Sequence, residues 1–595
     1  MARRLLFYDF EVFKHWWCVT FIDYATNKVK TICDDRQELL KFYMATRDRA
    51  IYVGFNNRHY DSVILKSIII GEEELGWSPY EVSNALVRDR LSAFQISQKF
   101  YRVKTIEYDC MIDRASSLKL LEGMMGSSIK ETDVPFDLDR PLTEEEKKLV
   151  IEYNIHDVEE TIKVFNNTKS DFEAHLGLIQ QFDLPAEDLV KTKARLSATV
   201  LGAKKMSEPS SPRDYEFVDC IRLDKYKWIQ DWYDKNRGDM IWDESKGKEV
   251  KKTLKAEVFG LEHTFGIGGV HSALLKYHDD NSDGSLIVHS DVASFYPNMM
   301  IQHGKLSRAV EEPSKYSEIL EKRLKLKREG NKKAQAPLKI VLNSTYGILN
   351  DKYNPMYDPQ RSREVTINCQ MLLLDLVEKI EEQMGDKCLY IQGNTDGVMF
   401  KIYDKKDFAL YEAICQEWQD RTKFALEHDF IKQIHQANVN NYVFEFENGK
   451  LECKGSMVQY NNPLKNDMPI INDALRDYLI KKTPIEETIG NCNELIKFQH
   501  ISKIGGTYKE VRHNGKVMNE KVVRTFASLR ETDEGIFKVK DVEKNGVIEE
   551  SVQKISDTSD RVFVENGEIV GVECPDYLDK QFYIDLAYKR LKSFI

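Results

Sequence analysis

Apolar and polar positions along the first 170 residues follow two periods. LLFYDFEVF (5–13), WWCVTFI (16–22) and AIYVGFNN (50–57) are short runs of aromatic and branched residues, as strands require. RQELLKFYMATR (36–47), YDSVILKSII (60–69) and TEEEKKLVIEYNIHDVEETIKVF (143–165) carry the helical period instead. The alternation predicts an α/β domain around a central mixed sheet. Farther on, LIVHSD (286–291) reads as a buried strand, and 314–329 and 337–349 read as two helices joined by the turn GNKK. Pro337 would then sit in a first helical turn. Residues 363–384 form an amphipathic helix, 389–400 (LYIQGNTDGVMF) a tight hairpin, and 441–458 a second hairpin turning at Asn448-Gly449. FGIGGVH (265–271) is a glycine-rich connection.

The chain has 595 residues, too many for one core, so three to five domains or subdomains are expected. It is 42% hydrophobic and 31% charged, values of a globular protein. No apolar run approaches the roughly 18 residues of a membrane span. MARRLLFYDFEVF makes a poor signal peptide because Asp9 and Glu11 follow the arginines. The expectation is a cytoplasmic protein, in the host cytoplasm if viral, with no membrane contact. The ten cysteines form no CxxC pair, which argues against structural zinc and a disulfide framework. Net charge is −11, yet residues 321–339 carry +6. A solvated helix face is the ordinary reading of such a stretch.

The candidate chemistry lies where single carboxylates interrupt apolar runs. Asp396 is the lone acid of the 389–400 hairpin, and Asp291 ends the strand before it. They are 105 residues apart, so only the fold can unite them. Side by side, they would suit Mg²⁺, which takes a few carboxylate oxygens and leaves room for substrate phosphates. Between them, Lys339, Asn343 and Tyr346 fall at i, i+4 and i+7 on one helix face. A cation, an amide and an aromatic ring make a nucleotide-binding face. Arg323 and Lys327 are likewise i, i+4 on the preceding helix, and with these neighbours the basic stretch reads as a triphosphate grip.

A second set of acids lies near the N-terminus. Asp9 and Glu11 are two apart on a strand and share a side. NNRHYD supplies Asn56, Asn57 and Asp61, and YNIHD puts Tyr153 and Asp157 on one helix face. Four carboxylates and a tyrosine suit a two-metal hydrolytic site, the tyrosine orienting water.

The order D-x-x-S-F-Y-P (Asp291 to Pro297), K-x-x-x-N-S-x-Y-G (Lys339 to Gly347) and T-D-G (Thr395 to Gly397) resembles motifs A, B and C of family-B DNA polymerases. The acids at 9, 11, 61 and 157, with Tyr153, resemble the Exo I, II and III motifs of DEDDy-type 3′–5′ exonucleases. Ser117-Leu118 resembles a single-strand-contact motif, and Lys454 the primer-strand K-x-Y region, without its tyrosine.

The resemblance implies an α/β and α+β multidomain fold: an RNase H-like exonuclease domain (1–170), a connector and start of the palm (171–285), palm (286–313 and 351–460), fingers (314–350) and a thumb with C-terminal region (461–595). It implies two Mg²⁺ or Mn²⁺ ions per site. Asp291, the Val292 carbonyl and Asp396 would hold one pair; Asp9, Glu11, Asp61 and Asp157 would hold the other. Tyr296 would lie under the incoming sugar. Arg323, Lys327, Lys339, Asn343, Tyr346 and Gly347 would meet the nucleotide; Asn56, Asn57, Ser117, Leu118 and Lys454 would meet DNA. Lys503, Lys509, Arg512, Lys516, Lys521 and Arg524 suit backbone contacts to duplex. Partners would be primer-template DNA and dNTPs, with room for a replisome helicase or single-strand-binding protein, around a monomer.

The early position of Asp9 implies a compact bacteriophage-type enzyme. Intervals of 52 residues from Asp291 to Asn343 and 53 from there to Asp396 are short for the insertions of protein-primed enzymes, which favours a nucleic-acid primer. Motif C departs from the family at Asn394, where aspartate is usual. A nuclease with an idle palm and a non-catalytic DNA-binding protein are the competing readings.

Overall fold

A computed structural model describes residues 3–111, 116–132, 134–237, 240–243, 247–518, 520–544 and 547–595. The fold is mixed α/β and multidomain. The chain forms two compact units: residues 1–191, 461–470 and 489–583, and residues 192–460, 471–488 and 584–595.

The first unit is built on a five-stranded sheet. Its strands are β1 (Arg4–Phe13), β2 (Trp16–Asp23), β3 (Val29–Cys33), β4 (Ala50–Gly54) and β5 (Glu107–Asp109), in the order β3-β2-β1-β4-β5. β1 pairs antiparallel with β2 and parallel with β4, and β4 pairs parallel with β5. β1 is central and covered on both faces, which explains its nearly continuous apolar run. The helix expected over 143–165 runs from Glu144 to Gln181. Thr143 and Glu146 close a capping box at its start, the signature that TEEE carries. Residues 489–583 add a three-stranded sheet to this unit, from His500–Lys503, Val522–Ala527 and Val562–Val564.

The second unit is built on an antiparallel sheet. The hairpin Cys388–Gly393 and Gly397–Ile402 lies beside the strand Leu286–Val292, followed by Leu426–Asn438, Asn441–Phe446 and Leu451–Lys454. Asp291 stands opposite Gly397 on one side and Glu427 on the other.

Two helix expectations need correction. The helix Lys332–Ile348 begins five residues before Pro337, because the Asn331 side chain caps it by accepting from the Ala334 amide. The helix read as amphipathic over 363–384 spans Pro359–Met384 and is buried along nearly its entire length, so it is the core of the unit rather than its surface. Three of the basic residues expected at duplex are otherwise engaged. Lys509 and Arg512 pair with acids of their own sheet. Arg524 is fully buried and bonded to carbonyls, so it cannot reach duplex. Among the described residues no helix is long and apolar enough to cross a membrane.

Candidate functional site

Each unit gathers one of the two acid sets. In the first, β1 presents Asp9 and Glu11, and the long helix presents Asp157. One carboxylate oxygen from each lies within 4.8 Å of the others. Asp61, at the start of the helix Asp61–Ile70, accepts the Phe10 amide at 2.9 Å, which ties it to the same stretch of β1. Burial drives the carboxyl groups of Asp9 and Glu11 well up, and the neighbouring acids push the same way. Asp61 reaches about 7 and Asp157 about 6, burial being the main cause in both. The Tyr153 hydroxyl is also driven up, by burial and then by the Asp157 charge.

Residues that sequence reading missed complete this centre. Asn154 donates to the Asp9 carboxylate at 2.9 Å, fixing its orientation. Lys119 places its ammonium 2.5 Å from Asp157, 3.1 Å from Glu122 and 4.5 Å from the centre of the Tyr153 ring. The only sequence signal for Asn154 is its spacing of three from Asp157 on a helix. Lys119 follows Ser117-Leu118 directly, and nothing local announces it. Ser117 caps the helix Leu118–Met125 positionally, its hydroxyl buried without a hydrogen-bond partner among the described residues. Leu118 packs against the cluster of Leu121, Met125 and Val164. Asn56 sits in a left-handed turn whose amide donates to Asp109. Asn57 is turned fully into the core toward the Tyr8 hydroxyl, so it does not join the acids.

The second centre is at one end of the antiparallel sheet. The Val292 amide donates to the Asp396 carbonyl at 2.7 Å, which locks the Asp291 strand end to the hairpin turn. A Cβ at Gly397 would overlap the Asp291 carboxylate, so only glycine lets that acid lie across the turn. Gly269 is held to the same standard by the Thr395 hydroxyl, which places the FGIGGVH loop against the turn. Asn394 accepts the amides of Asp396 at 3.0 Å and Gly397 at 2.6 Å. Its oxygen is therefore spent on shaping the turn. Asp291 is pushed up to about 6, first by burial and further by Asp396, Glu452 and Asp429, while His289 at 3.3 Å opposes the shift. Glu452 accepts from the Tyr442 hydroxyl at 3.2 Å. Neither Glu452 nor His289 was legible as a site residue.

Lys339, Asn343 and Gly347 lie exposed along the helix Lys332–Ile348. Tyr346 on the same helix packs its ring 4.5 Å from that of Tyr296 and shares a hydrogen bond with Thr366. On the helix Ser314–Arg328, the Arg323 Nε has no hydrogen-bond partner among the described residues, and burial lowers the guanidinium's proton affinity. Lys327 pairs with Glu427 at 3.8 Å, the residue opposite Asp291. Lys454 ends its strand exposed, its ammonium 5.6 Å from the Tyr442 ring centre.

No family model matches the chain. A segment of 198 residues, 33% of the chain, is 24% identical to DNA polymerase 1 of Saccharolobus solfataricus. That match spans about a fifth of the curated relative's length, 21%. The solved structure of the family B DNA polymerase from Pyrobaculum calidifontis aligns with all of this chain and 78% of its own, at 12% identity and a TM-score of 0.41.

Proposed function

We propose that the chain is a template-directed DNA polymerase of the family-B type with a 3′–5′ proofreading exonuclease. One observation carries the reading: Asp291, laid across Gly397 and tied to Asp396, shares its unit with a helix face of Lys339, Asn343 and Tyr346. The first unit is read as the nuclease. Its strand order, with β1 central, β2 antiparallel on one side and β4 parallel on the other, supports reading it as an RNase H-like domain. In the second unit the sheet is the palm and the helices Ser314–Arg328 and Lys332–Ile348 are the fingers. Residues 461–595 are read as thumb and C-terminal region, although 489–583 cluster with the first unit.

Both centres suit hard divalent cations. Asp9, Glu11 and Asp291 are crowded by other acids and their carboxyl groups are raised, mainly by burial, which suits them to a cation. Mg²⁺ or Mn²⁺ bound there would stabilise charge on the phosphoryl oxygens during transfer. The chain's own groups do the rest. Asp291 and Asp396 hold the synthetic centre; Asp9, Glu11, Asp61 and Asp157 hold the degrading one, where Tyr153 orients water. The short intervals among Asp291, Asn343 and Asp396 support a nucleic-acid primer.

Primer extension with Mg²⁺ and dNTPs, run beside degradation of a labelled single strand, tests the proposal. Extension and degradation together are expected. Degradation alone would favour a nuclease with an idle palm, and binding alone a non-catalytic protein.

Lys339 and Arg323 are expected to grip the triphosphate. A lost charge-assisted contact costs about 1.5–3 kcal/mol. Lys339→Ala should therefore raise the dNTP concentration for half-maximal extension about ten-fold or more, with DNA affinity unchanged. Equal weakening of DNA binding would mark a general basic patch instead.

Tyr296 is expected to exclude ribose. Tyr296→Ala should increase ribonucleotide incorporation with little loss of dNTP use. Tyr296→Phe, which keeps the ring against Tyr346, should retain most discrimination. Unchanged sugar selection in the alanine variant removes the assignment.

A further inference from the structure

The helix Leu118–Met125 is short, and a helix end leaves carbonyls that need donors. Here those donors come from about 400 residues later in the sequence, within the same compact unit. Gln499 donates to the Met124 carbonyl at 3.0 Å, and the Ile569 amide donates to Gly126 at 2.9 Å. The Arg524 guanidinium donates through Nη2 to Gly123 at 3.2 Å and Ser127 at 2.7 Å. Its Nη1 donates to Glu565 at 3.2 Å and Gly567 at 2.6 Å. Arg524 is fully buried and holds four carbonyls, with no carboxylate among its hydrogen-bond partners in the described residues.

Such a cation is costly to bury, and its four fixed acceptors offset that cost only in one geometry. It also lies at a helix C-terminus, where a positive charge is favoured. Glycines permit the close fit. A Cβ at Gly123 would crowd Ile501 at 3.1 Å, and one at Gly126 would meet Ile496 at 2.6 Å.

The other end of this helix carries Lys119, on Asp157 and over the Tyr153 ring. Eight residues span about 12 Å of rigid helix, so a shift at Gly123–Ser127 moves Lys119 as well. We propose that Arg524 is a positioning residue of the Asp9–Glu11–Asp157 centre, through which residues 489–583 set the pose of Lys119. The functional consequence rests on the nuclease reading; the effect on the centre's geometry does not.

The test uses the full chain with Arg524→Met, Arg524→Lys, Lys119→Met and the Met/Met pair, scoring single-strand degradation and primer extension on the same preparations. Arg524→Met should lower kcat for degradation at least ten-fold with KM changed less than two-fold and extension kept within two-fold. Arg524→Lys should recover part of the loss. The double variant should be no slower than Lys119→Met alone, because the arginine acts through the lysine. Additive losses, or a rise in KM at constant kcat, overturn the proposal. If Arg524→Met does not fold, Gln499→Leu, which removes the neighbouring Met124 contact, takes its place with the same expectations. If the unaltered chain degrades nothing, the nuclease reading fails. Mn²⁺ affinity in an Asp291→Ala background then decides the positioning claim: Arg524→Met should raise it several-fold, because a displaced Lys119 no longer competes for Asp157, and equal or lower affinity overturns the claim.

Discussion

Asp396→Asn abolishes nucleotide addition while Asn394→Asp changes it only modestly. This is the expected result of single-turnover extension with the two variants and the unaltered protein. The two residues share a turn but have different tasks. The Asn394 oxygen accepts the amides of Asp396 and Gly397, so it shapes the turn that presents residue 396. A carboxylate at 394 could accept the same two amides, which leaves the turn standing and adds a charge already engaged. Asp396 is exposed at the tip, next to the Asp291 strand end to which its own carbonyl is bonded. Its negative charge cannot be supplied by an amide of the same shape. Preorganised charge at the transferring group commonly accounts for about 10²–10³-fold per contact, and losing an ion ligand should exceed that. Asp291→Ala should fall equally far. An inactive unaltered protein rescued by Asn394→Asp would reverse the reading and make the chain a nuclease with an idle palm.

The pieces of the candidate second centre were legible because they are local. An acid at the end of an apolar strand, a turn with Gly397, and a helix face repeating at i, i+4 and i+7 are all written in short windows. Asp9 and Glu11 were legible for the same reason, since alternation along one strand fixes their shared side. What escaped is whatever a distant segment supplies. Lys119, Asn154 and Glu452 look like ordinary polar residues until the fold lays them against the acids. Arg524 misled in the opposite sense: within VVRTFA it reads as one more surface cation, yet that strand is buried throughout. The helix Pro359–Met384 misled likewise, because Glu364, Asn368, Asp375 and Glu378 gave it a polar face. Those side chains instead accept or donate to the backbone of residues 216–226, which lets the helix be buried.

Asp9→Ala combined with Glu11→Ala should remove single-strand degradation by at least about 10³-fold and leave primer extension intact. The two acids come from one strand of the first unit, whereas Asp291 and Asp396 belong wholly to the second. The same acids also make a prediction about stability. Asp61 near 7 and Asp157 near 6 lie above the roughly 3.9 of an unfolded aspartate. A carboxyl raised by folding binds its proton more tightly in the folded state. Its contribution to stability is therefore complete below about pH 4 and is lost as pH rises through 6 to 7. Without divalent ions the melting temperature of this unit should fall between pH 5 and 8, and added Mg²⁺ or Mn²⁺ should restore most of the loss at pH 8. The isosteric pair Asp9→Asn and Glu11→Gln removes two of the crowded charges, so it should melt higher than the parent at pH 8 in chelator and gain little from the metal. Differential scanning calorimetry with and without Mn²⁺ separates the cases. A parent that melts identically at both pH values in chelator, or a double variant that still degrades single strands, would show that these acids are not the centre of the proposed nuclease.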